Sequence, residues 1–374
     1  MLWVGGIGGI EADLVKRAAL PFEAIPAAGL HGVGLRALSG NLRQLGRGLG
    51  AARRILRQFR PEVILFTGGY MAAPLALAAR LPGLGIPRPR SLLYVPDIEP
   101  GLALSWLARF SDHVAVTTDD SRRYFPRRAA LTVTGYPLRG ELQGWTKEKA
   151  REVLGLSPDL PTLLVFGGSK GARSLNRAIL PVLPQLLAEM QIVHLSGALD
   201  WAEVEEARSE LLFRPELLFR PELPFRPELL FRTELPFRAA LPSPQAQHYH
   251  AFPYLHTEMG AALASADLVL SRAGAATLGE YPFFGLPAIL VPYPHAWRYQ
   301  RINAEYLQSR GAAVILLDAE LPDRLLPLVR ELMGDSSRRA TMRQAMQALT
   351  CPTAAASIAQ ILFSLVATPS HRRN

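Results

Sequence analysis

A two-domain α/β fold, with parallel strands and helices alternating in the doubly wound manner, is what this sequence predicts. Three observations carry the prediction. The chain has 374 residues, more than one hydrophobic core usually covers. Short apolar runs of strand length alternate with helical patterns along most of it. The succession strand, glycine turn, helix also recurs, after residues 63–67, 162–166 and 266–271.

In the first half, residues 2–4 read as a strand and 11–19 as a helix. Residues 63–67 form a strand feeding the turn Thr67-Gly68-Gly69-Tyr70, and a helix follows over about 72–81. Further short strands are predicted at 92–95, 114–117 and 131–134. From 137 to 149 the pattern turns polar, as in a linker, which places a first domain at 1–145.

The second domain, 155–350, restarts with Thr162-Leu163-Leu164-Val165-Phe166 and a glycine loop running from Gly167 to Asn176. That is the first unit of another nucleotide-binding fold, without the glycine spacing of a dinucleotide fingerprint. Residues 266–271 make a short strand apolar enough to be buried in a parallel sheet. The turn 272–276 follows, with Gly274 expected in a conformation closed to other residues. Thr277 opens a helix whose free N–H groups and positive dipole end suit a diphosphate. Glu280, about one turn in, could bind a vicinal diol such as a ribose. After a strand at 288–291, the next loop offers His295, Gln300 and Asn303 to a polyhydroxylated ligand. An ordinary strand-turn-helix connection is the plain alternative for each glycine turn.

Residues 210–239 repeat Glu-Leu-Leu-Phe-Arg-Pro with small variations. A six-residue period fits neither helix nor strand, and the recurrent proline blocks continuous helix. The array is expected to be a flexible insertion in a surface loop, without a core and without a catalytic role. Helices close the chain at 338–349 and 354–366.

Nearly half of the residues are apolar, yet no run reaches the roughly 18 apolar residues of a spanning helix. The start lacks the basic segment and cleavage site of a signal peptide. One cysteine, Cys351, suits a reducing compartment. The eight histidines form no cluster of metal-ligand spacing. A net charge of +9 points to anionic partners, and the absence of a recognition motif argues against nucleic acid. Leu35, Leu38, Leu42, Leu45 and Leu49, with arginines nearby, suit either a helix lying on an anionic membrane or a core-facing amphipathic helix.

The stretch 271–303, with Ser-Arg-Ala-Gly-Ala-Ala-Thr-Leu-Gly-Glu, Val-Pro-Tyr-Pro-His and Gln-Arg-Ile-Asn, closely resembles the donor signature of the MurG family. The resemblance covers nearly the whole chain outside the array. It implies a GT-B fold, two Rossmann-like domains facing across a cleft, with the C-terminal helix of residues 351–374 packing back on the first domain. It also implies inverting, metal-independent transfer of N-acetylglucosamine from UDP-N-acetylglucosamine to an undecaprenyl-diphosphate-linked muramoyl-pentapeptide, without a cofactor. The setting implied is peripheral, at the anionic cytoplasmic face of the bacterial inner membrane. For the donor the resemblance implies Arg139, Ser169, Leu255, His256, Met259, Ala275, Ala276, Thr277, Glu280 and Gln300. His295 matches a loop histidine, and Gly68, Gly69 and Tyr70 match a loop for the acceptor diphosphate.

The family's first glycine loop, with the histidine usually assigned as base, has no counterpart. Gly5-Gly6-Ile7-Gly8-Gly9 is followed by a segment resembling the family's second strand, so the chain is expected to begin about one strand and one helix late. Tyr94-Val95-Pro96-Asp97 stands where the family has His-Glu-Gln-Asn, which makes Asp97 the residue to test as base, a turn-forming Pro-Asp being the plain alternative. Trp297 replaces another polar family position. Two other readings stay open: a GT-B transferase with a different acceptor, and a non-catalytic UDP-sugar-binding protein.

Overall fold

The computed structural model describes the chain except residues 10, 27–34, 69–71, 82, 84, 169–170, 214–243, 295–297 and 368–374. It divides into two compact units, Met1–Pro137 with Pro352–Asn374, and Leu138–Cys351. The boundary therefore falls at the start of the segment expected to be a linker. That segment is tied into the second unit. Thr146 caps helix Lys147–Leu154 by accepting from Lys149 N, and Lys147 and Arg151 both pair with Asp267.

In the first unit, β1 (Trp3–Gly6) and β2 (Phe22–Ile25) form a two-stranded parallel sheet. A separate parallel sheet holds β3 (Val63–Phe66), β4 (Arg90–Val95), β5 (His113–Val116) and β6 (Leu131–Val133) in chain order. Five of the six β4 residues are buried, as a strand covered on both faces requires. One cover is the long helix Leu35–Phe59, which lays Ala52 and Leu56 into the core beside Phe66 and Leu93. Leu49 packs against the same core. The described part of that helix thus uses its apolar face for packing, and the side chains of Leu35, Leu38, Leu42 and Leu45 lie outside the described residues. The other cover is the last helix, Ala354–Ala367, whose Ile358, Ile361 and Leu362 meet Leu92, Tyr94 and Ala115.

The second unit is one six-stranded parallel sheet. Its strands are β7 (Thr162–Phe166), β8 (Gln191–Leu195), β9 (Tyr249–Phe252), β10 (Leu268–Ser271), β11 (Ala288–Leu290) and β12 (Ala313–Ile315). They lie in the order β12-β11-β10-β7-β8-β9. The chain starts in the middle at β7, winds outward to β9, then crosses back to β10. The loops after β7 and β10 consequently diverge, which leaves a crevice at the carboxyl ends of these two strands.

The array begins inside regular structure. Helix Trp201–Phe213 includes its first residues, and Leu211 is buried in the core of the second unit. The expectation that the array contributes nothing to a core is wrong at that residue, because helix Trp201–Phe213 runs into the repeat and buries Leu211. Residues 214–239 lie outside the described residues.

Candidate active site

A cleft of about 1000 Å³ opens at the β7/β10 switch point, at the upper end of the range typical of small-molecule sites. Its first wall is the glycine loop after β7. Gly171 sits at φ +77°, and a Cβ there would collide with the Ser196 carbonyl at the end of β8. Only glycine allows the loop to lie this close to the neighbouring strand. Ser169, expected within this loop, lies outside the described residues.

The second wall is the turn after β10, where one expectation fails. Gly274 has φ −68° and ψ 166°, extended backbone open to any residue, and a Cβ there would meet nothing. The turn is instead shaped by Arg272. Its Nη2 donates to Ser174 Oγ at 2.6 Å, its Nη1 donates to Val291 O at 3.1 Å and pairs with Asp318. Ser174 in turn donates to Asp318 Oδ1 at 2.9 Å. The loops following β7, β10, β11 and β12 are pinned together through this one guanidinium. Arg272 was visible only as a residue following a strand. Asp318, 46 positions away, carried no local signal.

The segment that follows is a short 3₁₀ helix, Ala275–Leu278, and then a five-residue α-helix, Glu280–Phe284. No long helix starts at Thr277, so the dipole contribution at this wall comes from individual N–H groups rather than a long helix axis. Ala276, Thr277 and Glu280 line the cleft, with Ala275 beside them. Glu280 is one-tenth exposed, and Arg139 Nη2 approaches its Oε1 at 3.4 Å. Burial raises the Glu280 carboxyl above its ordinary value and outweighs the lowering by Arg139. Beneath it Tyr281 is fully buried, its hydroxyl 2.6 Å from Ser271 Oγ.

Gln300 lines the far side, its Oε1 accepting from Tyr293 N at 2.9 Å. Asn303 does not face a ligand. It is fully buried and donates to Ala273 O at 3.2 Å, which holds the turn after β10 from below. His295 and Trp297 lie outside the described residues. Leu255, His256 and Met259 occupy the connection between β9 and helix Met259–Ser265 and are not among the described residues lining the cleft. Leu255 and Met259 are buried there, while exposed His256 contacts the Tyr254 ring at 4.6 Å.

In the first unit, Asp97 is half-buried in the turn after β4. Thr117 fixes that turn, its hydroxyl donating to Pro96 O at 2.8 Å and lying 3.0 Å from the Tyr94 hydroxyl. Glu99, which no sequence motif marks, is buried two residues further on. Gly68, after β3, is at φ +115°, a region that favours glycine. Gly69 and Tyr70 lie outside the described residues.

Residues 2–88 match the glycosyltransferase family 28 N-terminal domain, and residues 162–218 with 233–358 match the family 28 C-terminal domain. A UDP-N-acetylglucosamine–N-acetylmuramyl-(pentapeptide) pyrophosphoryl-undecaprenol N-acetylglucosamine transferase of Roseiflexus sp. is 41% identical, over 98% of this chain and 83% of its own. A protein of the same description from Desulforudis audaxviator is 40% identical, over 98% of this chain and 90% of its own. This chain belongs to the MurG family of glycosyltransferases. The crystal structure of Acinetobacter baumannii MurG shares the GT-B fold, with a TM-score of 0.66 at 23% identity, covering 97% of this chain and 90% of that one. The family 28 match skips residues 219–232, which fall inside the hexapeptide array.

Proposed function

We propose that this chain transfers N-acetylglucosamine from UDP-N-acetylglucosamine to an undecaprenyl-diphosphate-linked muramoyl-pentapeptide. The observation that carries the reading is the switch-point cleft with buried Glu280 at its wall, in a chain 41% identical to a transferase of that description. Glu280 accepts from the ribose hydroxyls, Gln300 from the sugar hydroxyls, and Arg139 leaves Glu280 for the diphosphate. The β7 glycine loop faces the phosphates, and Ser169 contacts the donor. Leu255, His256 and Met259 hold the uracil.

The acceptor hydroxyl attacks the anomeric carbon as the bond from that carbon to the diphosphate oxygen breaks, which inverts the centre. The departing diphosphate takes the electron pair and is stabilised by fixed positive groups rather than a metal ion. The attacking hydroxyl loses its proton to a base, for which Asp97 is the group we put forward. Gly68, Gly69 and Tyr70 hold the acceptor diphosphate. The enzyme works peripherally at the cytoplasmic membrane face, drawn to anionic lipid by its net charge of +9. Among the described residues no helix is long and apolar enough to cross a membrane.

The experiment is transfer of radiolabelled N-acetylglucosamine to the lipid-linked muramoyl-pentapeptide in the presence of a metal chelator. Labelled lipid product, reduced about 10²–10⁴-fold in Asp97→Asn as loss of a positioned base predicts, is the expected result. Donor binding without any transfer would favour a sugar-nucleotide-binding role. Transfer unchanged by Asp97→Asn would place the base elsewhere.

A further inference from the structure

Among the described residues three arginines line the cleft, Arg173, Arg177 and Arg272, and their hydrogen bonds separate their roles. Arg272 has both Nη groups committed to the loop-pinning network. Arg177 lies side-on against Glu203, using Nε and Nη2. Arg173 uses only Nε, which donates to Asp200 Oδ1 at 2.9 Å. Its two Nη groups make no hydrogen bond among the described residues, and its side chain is 63% exposed.

The anchor beneath Arg173 is unusual in being buried. The Asp200 side chain is only 5% exposed, and its Oδ2 accepts from Asn176 Nδ2 at 3.0 Å. Asn176 also donates to Ser196 O at 2.9 Å, the carbonyl against which Gly171 lies. With its Nδ2 spent on two acceptors, Asn176 turns Oδ1 toward His194 Nε2, 3.0 Å away. His194 must therefore carry its proton on Nε2, and its Nδ1 accepts from the Tyr249 hydroxyl at 2.7 Å. Every buried member of the chain Tyr249–His194–Asn176–Asp200 has a partner, so the chain has one arrangement. A carboxylate fixed in this way fixes the guanidinium it holds, and a pre-oriented fork loses less freedom on binding an anion.

We propose that Arg173 is a diphosphate-binding residue of the donor site and that Asp200 and Asn176 are its positioning residues. This rests on the donor reading of the cleft above. The guanidinium bridges two anions, the buried carboxylate through Nε and a phosphate oxygen of the nucleotide through Nη.

Calorimetric titration with UDP, and ligand-observed NMR titration with uridine, test this on the full chain. Arg173→Gln should weaken UDP binding by about tenfold or more, the size expected of a lost charge-assisted hydrogen bond. It should leave uridine binding unchanged, while the melting temperature falls because the buried Asp200 carboxylate loses its cation. Asp200→Asn keeps the shape but removes the anchoring charge, and should weaken UDP several-fold with the same selectivity. UDP affinity unchanged in Arg173→Gln, or uridine affinity falling in parallel with UDP, would overturn the proposal while leaving the donor site intact. A wild-type chain that binds neither compound would overturn the donor reading itself, and this inference with it.

Discussion

Glu280 is a carboxylate that the fold pays to keep. Its carboxyl is raised by burial against a weaker opposing pull from Arg139, so the free protein is destabilised by ionising it. For a raised carboxyl the folded state holds its proton longer than the unfolded state. Its stabilising contribution is present below the ordinary value of 4.5 and is lost as pH rises through the folded value. Glu280→Gln should therefore gain stability over the native chain as pH rises from about 4.5, measured as the difference in urea midpoint. Glu280→Ala should lose donor affinity by about 1–3 kcal/mol, because ribose hydroxyls would lack their acceptor. Unchanged affinity in calorimetry would remove Glu280 from the site. His194 runs the other way. Complete burial lowers its imidazole from 6.5 to about 4, so the stability it contributes is present above 6.5 and drains away as pH falls toward 4. At about 1.4 kcal/mol per pH unit that interval is worth about 3 kcal/mol. Equilibrium unfolding from pH 7 to pH 4 should be flatter in His194→Gln by that amount; an identical slope would show that the imidazole takes up its proton in the folded chain as readily as in the unfolded one.

Most individual elements were readable, because a parallel strand buried on both faces leaves an apolar run that needs no partner to be recognised. Residues 162–166 match β7 at both ends, and 131–134, 114–117 and 92–95 differ from β6, β5 and β4 by a residue or two. What local pattern could not supply was the use each element makes of its neighbours. Gly274 is expected in a turn conformation closed to other residues, yet its backbone is extended and the turn takes its shape from Arg272 reaching Asp318, a contact without a sequence signature. Asn303 is expected to face a ligand because it follows the strand 288–291, and only the packing of helix Tyr299–Ser309 shows it turned inward. The hexapeptide array shows the same limit, since its first residues continue helix 201–213 and bury Leu211. Two deletions separate the parts. Removing 214–239 should leave melting temperature and UDP binding as they are, consistent with the family 28 match skipping 219–232. Removing 210–239 also takes Leu211 out of the core, and should cost about 2–5 kcal/mol. Equal melting temperatures for the two deletions would show that Leu211 contributes nothing measurable.

At the scale of the whole molecule, the restart of the strand-glycine-helix pattern at residue 162 announced a second fold, and the structure draws the boundary at residues 137 and 138. Sheet order was not legible, because parallel partners are set by crossovers and not by neighbours in the chain. The two units differ in how completely their sheets are joined. The second closes six strands into one sheet around a large core. The first divides its strands between a pair and a group of four, so β1 and β3 each have one strand partner among the described residues. Fewer ladder bonds and a smaller core among the described residues make the first unit the weaker one. Calorimetry should accordingly resolve two transitions, the lower belonging to Met1–Pro137 with the last helix. UDP binds residues of the second unit alone in our reading, so it should move only the upper transition. At a hundred times its dissociation constant the ligand adds about 2.7 kcal/mol, enough to raise the midpoint of a unit this size by about 5–10 °C. A lower transition that climbs with UDP as far as the upper one would mean that the units unfold together and that donor binding is felt across the entire chain.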